Sequence, residues 1–315
     1  LLNPLLSLSL PESDVLRSLD ADTRRERLMA LFGQLLAASA AKKPTVVVIE
    51  DLHWADQSSK EVLANLGSTL GDSRILLLAT SREPLQLPGD HTAMALGELP
   101  ASDAEALLAS ILGPSNLSPK VAASIAEKCR GNPLFLEEVA RALVLDGAHH
   151  LGANLVVPDR LQSLLMARLD ALPREARRVA RLAAILGTEF DAEVVREMLP
   201  SADHATVDLA LRDLVASTVI FQDGDGGTIY RFRHSLQQEV AYESLLFARR
   251  RELHGTVTSL LEGRHAADLN SVVETLAYHT GLSGDAERSA RYSMMAGDKA
   301  RGVYAWDPAI AYFTL

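Results

Sequence analysis

The stretch Val46–Asp56, VVVIEDLHWAD, decides the fold. It opens with four consecutive β-branched residues, Val46 to Ile49, and no polar alternation, the pattern of a strand covered on both faces of a parallel sheet. It closes on two adjacent carboxylates, Glu50 and Asp51, which a buried apolar run does not itself require. Downstream, Ser58 and Glu61 have capping-box spacing, and Val62, Leu63, Leu66 and Leu70 continue as one helical face. Ile75–Ala79 reads as a second buried strand, so strand, helix and strand follow one another as a βαβ unit. Upstream, Leu28, Leu31, Leu35 and Leu36 predict a helix within residues 23–38, and residues 92–96, TAMAL, offer a third, shorter strand.

The 315 residues, 48% of them hydrophobic, suffice for two or three domains with real cores. The net charge is -10, and the 31 Lys and Arg residues are interspersed with acidic ones, which argues against a broad phosphate-backbone surface. A single cysteine, Cys129, excludes an internal disulfide framework. No apolar run reaches the roughly 18 residues of a membrane span, and no charged leader precedes a cleavable segment, so a cytoplasmic protein without membrane contact is expected. The opening LLNPLLSLSLPESD, beginning at Leu1 without a methionine, reads as the interior of something longer.

Beyond Leu99 the pattern becomes helical. Ser102 with Glu105, and Ser118 followed by Pro119, mark helix starts, while Gly131-Asn132-Pro133 separates one helix ending near Cys129 from another carrying Phe135, Leu136, Val139 and Leu143. The polar stretch 146–154 is a candidate boundary. Helical patterns follow at 158–169, 173–186, 191–199 and 205–216, and then TVIFQDGDGGTIYRF sets two β-rich segments about an Asp/Gly turn. Small helices followed by a hairpin suggest a winged helix within roughly 155–250. From Leu253 on the chain is helical again, with alanine-rich helices led by Asp285 and Asp307 that hint at repeats.

In open α/β sheets, ligands bind beyond the carboxyl ends of the strands. Glu50 and Asp51 stand at one such exit, and Thr80, Ser81 and Arg82 at the next. A nucleoside triphosphate needs this set: hard oxygens for magnesium, a carboxylate to polarise water, and a hydroxyl and a guanidinium to sense the terminal phosphate. The plainer alternative is that the two acids merely end a strand. His53 fits either a donor that orients Asp51 or Asp56, or packing beside Trp54. Trp54 reads as structural, Asp56 as the cap of the following helix and Cys129 as core. The remaining histidines have no metal-ligand spacing, and no G-x-S-x-G elbow occurs.

Five colinear blocks carry a family resemblance: VVVIEDLHWADQSSKEVL, RILLLATSREP, CRGNPLFLEEVARAL, residues 157–190, and FRHSLQQEVAYESLLFARRRELH. They resemble the STAND-type, AAA-like P-loop ATPase modules fused to class III adenylate/guanylate cyclases, protein kinases or LuxR-type regulators. The resemblance covers nearly the whole chain. It implies an α/β P-loop NTPase core with a parallel sheet, truncated at its N-terminus, over residues 1–99. A helical lid over 100–154, a winged helix over 155–250 and the start of a TPR-like helical region over 251–315 are implied to follow.

By the same resemblance Glu50 and Asp51 are the paired Walker B acids, Glu50 nearer magnesium and Asp51 nearer the attacking water. Thr80, Ser81 and Arg82 match the sensor segment, with Arg82 toward the γ-phosphate; Pro133 matches the proline that packs on adenine, and His234 the histidine that touches the β-phosphate of ADP. Two positions depart from the pattern: Glu50 replaces the commoner aspartate, and Ser235 replaces an aspartate in plant and animal relatives. No GxxxxGK[ST] occurs in the sequence.

The resulting expectation is a regulatory switch that binds ATP or ADP with magnesium in a larger signalling protein, with little ATP binding or turnover by these residues alone. Its attached effector would be a cyclase, a kinase or a LuxR-type domain, and its helical repeats would bind a protein. The alternative is a catalytically dead interaction scaffold using the winged-helix and repeat surfaces. Direct nucleic-acid binding is not expected, because the predicted recognition helix offers only Arg212 against Asp208 and Asp213.

Overall fold

The computed structural model describes residues 19–69, 73–84, 91–113, 118–145, 160–199, 204–224 and 227–314. The chain divides into two compact units, Leu1–Met94 with Leu261–Leu315, and Ala95–Leu260. In the first, helix α1 (Ala21–Lys42) starts from Asp20, whose carboxylate accepts the Thr23 amide, and leads to strand β1 (Thr45–Ile49). A 3-10 turn at Leu52–Trp54 and helix α2 (Gln57–Thr69) connect to strand β2 (Ile75–Ala79). The strands are parallel, in register from Thr45 against Ile75 to Ile49 against Ala79. The Asp56 carboxylate accepts the Ser59 amide at 2.6 Å, so Asp56, and not Ser58, stands at the cap position.

One face of this sheet is covered. Leu52, Leu63 and Leu66 form a core against which Leu36, Ile49, Leu77 and Ala79 pack. The other face is not: Val46 and Val48 are 60% and 54% exposed, Leu76 and Leu78 59% and 50%. This corrects the expectation of a strand covered on both faces. The continuous apolar run is real, but the helices packed on the sheet lie on the Ile49 side. The third strand expected at 92–96 does not form. Residues 91–100 have no regular structure, and Met94 and Leu96 are exposed, so neither burial nor a ladder partner fixes an extended register there.

The second unit begins with three helices, α3 (Ala101–Leu112), α4 (Pro119–Lys128) and α5 (Pro133–Leu145). Ala104, Leu108, Ile125, Leu136, Val139 and Ala140 make their common core, and Cys129 is buried within it. Helix α4 starts as the sequence predicts, with the Ser118 hydroxyl accepting the Val121 amide and Pro119 in the first turn. Helix α3 starts from Pro100 and not from Ser102. The predicted boundary at 146–154 lies outside the described residues.

Helix α6 (Leu161–Ala171) packs on α5 and is followed by α7 (Arg174–Leu186), β3 (Glu189–Asp191), α8 (Ala192–Glu197), α9 (His204–Ala216), β4 (Ile220–Gln222) and β5 (Ile229–Phe232). The antiparallel sheet has the order β3-β5-β4. Helix, strand, two helices and a two-stranded wing in this order is a winged helix. Its core joins Val179, Ile185, Phe190, Leu211, Leu214, Ile220 and Phe232, all buried.

Helix α10 (Ser235–Glu243) packs on α6 and α7, and α11 (Phe247–Arg264) leads toward the C-terminal helices α12 (Val273–Ser283), α13 (Ala286–Gly302) and α14 (Trp306–Phe313). These pack in sequence, α12 on α13 and α13 on α14, around Val273, Leu276, Tyr292 and Ala296. At Gly297 a Cβ would lie 2.3 Å from the Phe313 ring, so a glycine permits that approach. Asp285 caps α13 by accepting the Arg288 amide, whereas Asp307 lies inside the first turn of α14.

Candidate functional site

Strand β1 delivers its two acids to the carboxyl edge of the sheet, and backbone geometry holds the second. Asp51 adopts a left-handed conformation, φ 53°, and turns the chain into the 3-10 segment. Its amide donates to the Thr80 hydroxyl at 3.0 Å, the Leu52 amide donates to the Thr80 carbonyl at 2.8 Å, and the Thr80 amide donates to the Ile49 carbonyl at 2.9 Å. Residues at the ends of β1 and β2 are therefore tied together. The Thr80 oxygen is used as an acceptor, which leaves its O–H for a ligand oxygen. Glu50, Asp51, Thr80 and Arg82 are exposed and Ser81 is half-buried, its hydroxyl accepting the Glu83 amide at 3.2 Å.

His53 belongs to the same edge. Its Nδ1 lies 3.9 Å from an Asp51 carboxylate oxygen and accepts the Arg82 amide at 3.4 Å, while Nε2 is buried with no partner. This histidine accepts from the backbone of one strand exit and lies beside the acid of the other. Trp54 is 75% exposed, its ring edge-on to His53 at 5.5 Å, so it is not buried as the structural tryptophan expected there would be.

In the second unit Pro133 opens α5. Gly131, at φ +65°, makes the turn before it, and the Gly131 carbonyl accepts the Leu99 amide at 2.8 Å. The Asn132 side chain accepts the Phe135 amide, capping the helix, and Pro133 itself is exposed. His234 is the residue before α10, half-buried, with Nε2 buried and unpartnered. Burial and the neighbouring Arg233, Arg141 and Arg168 hold its imidazole below the ordinary range, against an opposing pull from Glu137. Glu137 is held low by its hydrogen bond from Arg141, with Arg233 also adding.

Sequence reasoning missed the group behind His234. Glu138 is 0% exposed and accepts from Arg168, whose other terminal nitrogen donates to the Ser217 carbonyl at 2.8 Å and the Thr218 hydroxyl at 3.3 Å. One signal was available: Glu138 lies three residues after Phe135 and beside Val139, on the apolar stripe of α5, where an acid must find a buried cation. Cys129 is core, as expected. Burial pushes its thiol up to about 11, which keeps it protonated and unreactive.

Magnesium usually takes one or two carboxylates and completes its shell with phosphate oxygens and water. Glu50 and Asp51 fit that demand as hard-oxygen donors. Among the described residues no group of three or more His, Cys, Asp or Glu side chains is placed to hold a metal without such help.

Residues 4–78 match the profile of the AAA ATPase domain family. That match spans β1 with its acids and most of β2. An uncharacterized protein of Rhizobium meliloti (strain 1021) is 27% identical over 294 residues, covering 89% of this chain and 28% of that protein. The fold resembles the crystal structure of a Signal Transduction ATPase with Numerous Domains (STAND) protein with a tetratricopeptide repeat sensor from Pyrococcus horikoshii. The TM-score is 0.54 at 15% identity, over 89% of this chain and 44% of that one. The chain thus spans less than half the length of either relative. Its parallel two-stranded sheet followed by a long helical region resembles the arrangement of that STAND fold. Among the described residues no helix is long and apolar enough to cross a membrane.

Proposed function

We propose that these residues are the nucleotide-responsive switch region of a larger signalling ATPase. The observation that carries this reading is the tie between strand exits, in which Thr80 receives the Asp51 amide while the two carboxylates stand at the same edge. Magnesium bound with a triphosphate would supply charge neutralisation there. Glu50 would hold the metal or its water, Asp51 would orient the attacking water, and Thr80, Ser81 and Arg82 would contact the terminal phosphate. Pro133 would pack on adenine and His234 would meet the β-phosphate of ADP. The effector controlled by this switch, a cyclase, a kinase or a LuxR-type domain, would belong to the longer protein, whose place of work is expected to be the cytoplasm.

The phosphate-binding loop that the family uses is not found in this sequence, so calorimetric titration of the 315-residue chain with magnesium-ATP is expected to show no micromolar binding. In the longer parent protein binding is expected, and Asp51→Ala should abolish turnover while retaining nucleotide. Equal ATP turnover by the parent and its Asp51→Ala variant would defeat the proposal.

The scaffold reading has one observation in its favour: Tyr278, Leu282 and Met294 are exposed on α12 and α13, a surface suited to a protein partner. It predicts that the parent's output does not respond to replacing Glu50 and Asp51 together. On the winged helix, the outward side of α9 carries Leu209 and Val215 around Arg212, and Asp208 is paired with Arg196. That surface does not suit a DNA phosphate backbone.

A further inference from the structure

Two consecutive acids on α5 grip the start of α10 from either side of His234. The Glu137 carboxylate lies 3.7 Å from the Arg233 guanidinium, one residue before the histidine. The Glu138 carboxylate accepts the Gln237 side-chain amide at 3.3 Å, three residues after it, and the Gln237 backbone amide in turn donates to the His234 carbonyl at 3.0 Å. Glu138 is fully buried, and Arg168 carries its hold onward to Ser217 and Thr218, where α9 turns into β4 at a left-handed Thr218, φ 56°.

The buried Glu138–Arg168 ion pair is costly to desolvate and adds little stability over an apolar replacement, which leaves fixing one arrangement as the role we assign to it. What it fixes here is the N-terminal turn of α10 against the helix that Pro133 begins. The His234 imidazole is left with a buried, unpartnered Nε2, a ring held in place without spending that nitrogen on the protein.

We propose that Glu137 and Glu138 are positioning residues that clamp His234 to the lid helix, with Arg168 and Gln237 as the connecting parts. The clamp rests on the nucleotide-switch reading for its purpose, but it can be read without nucleotide. The His234 ring signal of the full 315-residue chain, assigned with His234→Gln, would be titrated by NMR in wild type, Glu138→Gln and Gln237→Leu.

Loosening the clamp exposes the ring to water and relieves the burial that holds it low, so Gln237→Leu, which keeps the ion pairs, should move the His234 midpoint upward, and Glu138→Gln should move both its midpoint and its chemical shift, with the His254 signal unmoved. A role in stability alone would leave both midpoints in place in the folded protein. Should Glu138→Gln not fold, Gln237→Leu decides alone, because it keeps the buried pair intact. An unchanged His234 midpoint and chemical shift in Gln237→Leu overturns the clamp. ADP added to the parent protein tests the other reading: no change at His234 there counts against nucleotide contact and leaves the clamp standing.

Discussion

His254 shows what burial does to a single residue. It sits in α11, accepting or donating at Nε2 with the Tyr242 hydroxyl at 3.0 Å, while Arg250 lies over the tyrosine ring. Burial, with a smaller push from Arg250, lowers its pKa from 6.5 to about 4. Between those values the unfolded chain binds a proton that the folded chain refuses, so stability is complete above pH 6.5 and is lost as pH falls toward 4. Between pH 7 and pH 4.5 the expected loss is roughly 2 kcal/mol. Urea denaturation at pH 7 and pH 4.5 measures it, and His254→Gln should flatten the difference. At this scale the acids were legible: Glu50, Asp51 and Thr80 could be named from strand exits alone. Neither the bond from Asp51 to Thr80 nor the burial of Glu138 could be, because each joins residues 29 or more positions apart.

Among elements, the turn before α5 tolerates little change. Gly131 has φ +65°, and a Cβ there would stand 2.4 Å from the Leu99 carbonyl oxygen, a backbone atom that cannot step aside. Gly131→Ala therefore combines a left-handed alanine with a clash, and should cost at least about 2 kcal/mol. Thermal unfolding followed by circular dichroism would register it. If the loss is below 0.5 kcal/mol, on the order of an ordinary surface change, the Leu99–Gly131 contact is not holding the lid. Local sequence predicted this break between helices correctly, since Gly-Asn-Pro carries its conformational preference with it. The winged-helix hairpin was equally plain from its Asp/Gly turn. The strand expected at 92–96 failed because an extended segment needs a neighbour, and no local signal reports one.

At the scale of the molecule the main surprise is the open face of the two-stranded sheet. Val46, Val48, Leu76 and Leu78 place two apolar side chains from each strand toward water, side by side in a parallel register. Such a contiguous patch promotes association. The 315-residue chain should bind a hydrophobic dye and scatter light as concentration rises, and Val48→Thr with Leu76→Thr should reduce both while leaving far-ultraviolet circular dichroism unchanged. Equal scattering by the two proteins would show that this face is not the adhesive one.

The amino-acid order by itself determined the two strands of the parallel sheet, the hairpin, most of the helices, and which acids stand at the end of β1. Those features follow from period, capping and side-chain shape, all of which act over a few residues. Tertiary structure alone decided which sheet face is covered, which acid is buried, and that Glu137 and Glu138 reach the two flanks of His234. Burial and ion pairing depend on what the distant chain brings alongside, and a one-dimensional pattern does not carry that distance.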